Sequence, residues 1–421
     1  MESTTVTARR TASLRMSTAL LLAAALAAGC GGGEGDAGGD REASRRASPS
    51  PPHGYVEGAK EAAEQQSRLV LADPGTGEAR VLDLISEKVH TVPAVPDATG
   101  LTTDGRFGFF HTARETQVLD TGAWMVDHGD HVHYYRARIR EVGQLPDGGG
   151  ARIRGDAAVT AVTPEDGDAR LYRRDALEDG RIGDARPLAG PHAAPVIPYG
   201  GHLITLGSGG DAGVTVRDRD GEETAALDAT CRDPRGDAVT RRGIVFGCAE
   251  GALLVREESG TFEAVEIPYP RGVPEDERAT AFRLRPGSDT LTAPAGREAV
   301  WVLDVTERTW QRVATGPVLA ANTAGEGAPL LALGTDGTLR GFDTATGERT
   351  GEEAALDAAP AAADPGPGVA GSPVIAVDTS RAYVSDPAGR RVHEIDYNDG
   401  LRVARTFDLD IEPGLMAETG R

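Results

Sequence analysis

The sequence predicts an all-β protein, a single β-propeller of about eight blades, with seven as the near alternative. Three observations point there. An apolar strand, a turn and a second strand ending near Asp and Gly recur at roughly 40 to 50 residues, the period of propeller blades. Glycine is abundant at 55 residues while aromatics make up only 5%, a composition suited to short strands joined by turns. No stretch keeps a long helical periodicity. A chain of 421 residues has room for one such ring over residues 67–421 without a second domain.

Two segments precede the ring. Residues 1–30 read as an export signal: Arg9, Arg10 and Arg15 supply the charge, and Leu14 to Ala28 is mostly apolar yet short for a bilayer span. The segment ends Leu26-Ala27-Ala28-Gly29-Cys30, which resembles a bacterial lipobox, with Ala27 where leucine is usual. That resemblance implies lipidation of Cys30 and a cell-surface lipoprotein held on the outer face of the cytoplasmic membrane. Ordinary secretion is the alternative. Residues 31–66 are rich in Gly, Ser, Pro and Glu without an apolar pattern; such a composition favours a disordered tether. His53 stands alone in it.

The ring itself opens with Arg68-Leu69-Val70-Leu71-Ala72-Asp73 and Ala79 to Leu84. It continues through Phe107 to Gly122, a fainter copy between Ala151 and Tyr172, and His202 to Gly221. Ile244 to Glu257, Ala299 to Asp304, Leu330 to Gly347 and Arg381 to Asp396 complete the series. Cys231 and Cys248 are the only cysteines in it. In an exported protein an even pair defaults to a disulfide, and a loop of this length is worth about 3 kcal/mol on the chain-entropy estimate.

Charge and motifs exclude several functions. With 44 basic and 65 acidic residues the formal charge is −21, which disfavours nucleic acid and suits the attraction of cations. A GxSxG elbow, a P-loop and an HExxH are absent from the sequence, and no glycine-rich run follows a strand and opens a helix as a dinucleotide fingerprint requires, so no enzymatic function is expected.

The most informative stretch is Asp127-His128-Gly129-Asp130-His131-Val132-His133-Tyr134-Tyr135, which gathers three of the nine histidines. Neutral imidazole is a common ligand for zinc and its neighbours. His131 and His133 leave the same face of an extended strand, and His128 sits one turn upstream. A metal site and a polar edge strand that happens to be histidine-rich both fit these residues. His192, in Gly190-Pro191-His192-Ala193-Ala194-Pro195, is placed by a proline-bounded turn and is either a ligand or structural. His111 either packs or faces the channel. His202 reads as a capping or surface residue, His393 as a core histidine and His90 as solvated.

Trp124 to Tyr135, with its His-Gly-Asp-His-Val-His-Tyr-Tyr run, resembles the signature of the AztD-type zinc metallochaperones. Gly190-Pro191-His192, the Cys231 to Gly251 region and the tail from Tyr383 to Phe407 match in the same order. The resemblance implies an exported propeller that binds zinc and hands it to the solute-binding protein of a zinc ABC importer. It implies His131 and His133 as the core ligands, with His128 and His192 completing the site, in a monomer. Departures are Ala193 where a second His is frequent, Arg235-Gly236-Asp237 where a His-Gly-acid element is frequent, and an N-terminal arm reduced to His53. The rival expectation is an envelope propeller that scaffolds proteins without metal; a propeller enzyme acting in the channel is more distant.

Overall fold

The computed structural model describes residue 56 and residues 58–128, 131–146, 150–165, 168–209, 211–270, 272–325, 327–356 and 370–421. Cys30, the expected signal and the tether up to residue 55 lie outside them.

Among the described residues the strands form nine antiparallel sheets. Eight follow the radial meander of a propeller blade. Five are simple runs of four successive strands, such as Asp237–Thr240, Gly243–Cys248, Gly251–Glu258 and Thr261–Pro268. The blade at Thr290–Ala295 has three strands, and Arg283 takes its innermost position, exchanging both backbone hydrogen bonds with Thr292 at 2.8 Å. The first blade is closed by the end of the chain: Leu415–Thr419 pairs in register with Arg68–Ala72. Closure of this kind leaves no open sheet edge between the first and last elements.

Strand alternation explains the packing. Alternate residues of a strand face opposite sides, so each blade offers an apolar face to both neighbours. Val70 and Val81 of the first blade pack with Phe110 and Leu119 of the second, and Phe107, Phe109 and Val118 of the second with Ile153 and Val162 of the third. The same pairing repeats around the ring. At its end Tyr383, Val392 and Phe407 of the last blade meet Leu69, Leu71 and Leu82 of the first. The disulfide Cys231–Cys248 joins the outer strand of the fourth blade, Glu223–Arg232, to Gly243–Cys248 of the fifth. It therefore staples two blades.

The ninth sheet lies outside the meander. The second blade orders its strands Gly100–Thr103, Phe107–His111, Thr116–Asp120 and Arg140–Leu145. Between the last two the chain detours into a hairpin, Ala123–Asp127 and Val132–Arg136. Gly122 starts the detour at φ +67°, where a Cβ would lie 2.5 Å from the Ala137 carbonyl oxygen. The hairpin's second strand, Val132–Arg136, then pairs with Lys60–Ala62, a strand within the segment expected to be tether. Three residues are too few to show periodicity in a sequence, and here their hydrogen-bonding partner is supplied by the hairpin.

Candidate metal centre

The hairpin register places the histidines. Trp124 pairs with Tyr135 and Val126 with His133. The period of two therefore puts residues 124, 126, 128, 131, 133 and 135 on one face. At the tip the His128 N–H donates to the His131 carbonyl at 2.9 Å. One ligand atom from each of His128, His131 and His133 lies within 4.8 Å of the others. The His128 and His131 rings stack at 4.9 Å, and His133 stands edge-on to them at 5.3 and 4.9 Å. His128 and His131 are exposed and His133 half-buried.

The face beneath the imidazoles is rigid. The His133 ring stacks over Tyr135 at 6.2 Å and Tyr135 over Trp124 at 5.4 Å. Tyr135 and Trp124 are buried at 0% and 5% exposure, and the Arg106 guanidinium lies 3.8 Å from the Trp124 ring centre. Arg106 is fixed in turn by a bidentate pair with Asp120 at 3.2 and 2.9 Å. An aromatic and cationic column thus runs from the blade core up to the third histidine.

A carboxylate completes the arrangement. Glu61 pairs opposite Tyr135, so its side chain is diagonal to His133 on the same face. Its Oε1 lies 2.7 Å from His133 Nδ1. Nδ1 donating there leaves Nε2 as the lone-pair donor, the usual way an outer carboxylate orients a metal-binding imidazole. Nothing in the sequence marks Glu61, which sits in a polar run without pattern; only the pairing of Lys60–Ala62 with the hairpin reveals it.

The other histidines are elsewhere. His192 is bridged to Gly207 in the fourth blade and is not among the three grouped donors. Its Nε2 is buried without a hydrogen-bond partner, and burial lowers its pKa ahead of the opposing backbone hydrogen bond at Leu188. His111 is held between Thr102 Oγ1 at 2.8 Å and Thr116 Oγ1 at 3.2 Å. Burial, helped by the charge of Arg154, lowers its pKa to about 4. His393 is 8% exposed and meets Thr406 Oγ1 at 3.2 Å, as a core histidine would. His202 Nδ1 meets the Gly200 carbonyl at 2.9 Å, and its ring lies edge-on to Phe262.

These features define a β-propeller that carries a surface triad of imidazole donors on an inserted hairpin. No protein-family model matches the sequence, and no curated protein matches it. Likeness is found in the fold. The crystal structure of AztD from Citrobacter koseri has a TM-score of 0.68 at 17% identity, over 85% of this chain and 98% of that one. Apo AztD from the same organism gives 0.67 at 15%, with the same coverage. Dihydro-heme d1 dehydrogenase NirN, in complex with DHE, gives 0.53 at 14%, over 85% of this chain and 76% of that one. The fold of this chain is the AztD-type propeller.

Proposed function

We propose that this protein is an extracytoplasmic zinc carrier and not an enzyme: it binds one zinc ion through His128, His131 and His133 and passes it to the solute-binding protein of a zinc ABC importer. The observation that carries this is the triad itself, three imidazole donors within 4.8 Å on one exposed face. Tetrahedral zinc with nitrogen ligands at about 2.0 to 2.1 Å needs donors about 3.3 Å apart. Small rotations of exposed side chains supply that contraction.

Three protein ligands leave a fourth position to water or to an incoming ligand. An acceptor histidine or carboxylate can bind there before a donor imidazole leaves, so the ion is never stripped bare. Exposure of His128 and His131 gives an acceptor access, while the column under His133 keeps one ligand in place. The net charge of −21 favours capture of cations. The AztD-like fold and histidine run support zinc over copper or nickel, which imidazoles also accept. The disulfide supports an oxidising compartment, and the lipobox-like Cys30 supports anchoring beside a membrane importer.

Handover is tested by mixing the zinc-loaded protein with an apo solute-binding protein and a chelator that competes for free zinc. Transfer faster than the chelator intercepts it is expected, and transfer no faster than from free zinc would overturn the carrier role. A second reading, a metal-independent scaffold, draws on Met125 and Val132, each 36% exposed on the other face of the hairpin. It requires partner binding that survives removal of zinc.

A further inference from the structure

The innermost strands of a propeller line its central channel, and three arginines lie on or beside them here. Arg152 and Arg154 share one face of the inner strand Arg152–Gly155 of the third blade. Arg283 holds the inner position of the sixth. Arg154 Nε reaches Asp237 Oδ2, on the inner strand of the fifth blade, at 2.5 Å. That ion pair passes in front of the fourth blade, so these side chains meet inside the channel rather than between neighbouring sheets.

Three guanidinium groups and the carboxylate of Asp237 meet there, with Glu165 acting on Arg152 from further away. Asp237 is taken by Arg154. The guanidinium groups of Arg152 and Arg283 have no hydrogen-bond or ion-pair partner among the described residues. Arg283 keeps an exposed surface, yet the enclosing protein desolvates it enough to lower its pKa, and the charge of Arg154 lowers it further. Arg152 is also lowered, chiefly by burial, with Asp237 opposing. In a protein of net charge −21, two guanidinium groups on or beside inner strands are thus left without a carboxylate of their own. Guanidinium forks without a carboxylate partner suit planar or tetrahedral oxyanions.

We propose that the central channel is a binding site for a small oxyanion, a phosphate or a carboxylate, held by Arg152 and Arg283 with Arg154 fixed beside them by Asp237. The site is separate from the histidine hairpin and independent of zinc. Its occupancy would offset the charge of Arg152 and Arg283 and tie the third blade to the sixth.

Thermal melts of the full chain with inorganic phosphate and with succinate, each against chloride at equal ionic strength, test this. At least one anion should raise Tm in a saturable way, and which of them does so identifies tetrahedral or carboxylate ligands. Arg283→Gln should abolish the shift while melting no lower than wild type in chloride, because it removes an uncompensated charge. Arg152→Gln should weaken the anion affinity, and zinc binding should be unchanged in both variants. Absence of any anion-specific shift, or a shift retained in Arg283→Gln, would overturn the proposal.

Discussion

At the scale of single residues, the candidate site depends on which atom of each imidazole is free. Glu61 accepts from His133 Nδ1 at 2.7 Å, which presents Nε2 outward. Outer partners of this kind typically contribute about 10- to 100-fold to metal affinity. Glu61→Ala should therefore weaken zinc binding by about that factor while leaving one ion per chain, as isothermal titration would record; unchanged affinity would remove Glu61 from the site. The three histidines were legible in the sequence because one turn and a period of two place 128, 131 and 133 on one face. Glu61 was not legible, since its role depends on a strand that forms only against the hairpin. His192 looked equally well placed by its proline-bounded turn, but the bridge to Gly207 fixes it in the fourth blade, a partner that local sequence does not encode.

Individual elements differ in what their sequence reveals. Blade strands announce themselves by alternation: Phe107 and Phe109 face one neighbour and Phe110 the other. The strand that continues to His111 carries a pH dependence. Its pKa falls from 6.5 to about 4, first through burial and then through Arg154, so the folded state holds it neutral. Between those values the unfolded chain takes up a proton that the folded chain refuses. Its contribution to stability is full above pH 6.5 and is lost as pH falls toward 4, at up to about 1.4 kcal/mol per unit. His111→Gln keeps a hydrogen-bonding side chain between Thr102 and Thr116 and should flatten the fall of Tm over that range. An identical slope in the variant would show that other groups govern acid stability.

The molecule as a whole is held by its closure. The recurring apolar pattern suffices to predict a propeller, but which strand seals the ring is set by register: Arg68 opposite Thr419 and Ala72 opposite Leu415. Met416 buries with Leu69 and Leu71 on one side, and Leu415 with Val70 and Val81 on the other. Ending the chain at residue 412 would expose both faces and an unpaired edge. The truncated protein should melt far below the full chain or fail to fold by circular dichroism, and a wild-type melting curve would show that closure is dispensable.

On the proposed reading, this closed ring serves as a frame for a zinc site on its inserted hairpin. The most direct test is the zinc content and affinity of the protein from residue 56 onward, stripped by chelation and reloaded, beside the His131→Ala/His133→Ala variant. One tightly bound zinc in the wild type, lost in a variant that keeps the wild-type melting curve, is the predicted result. Equal zinc binding in both proteins, or none in either, would contradict it.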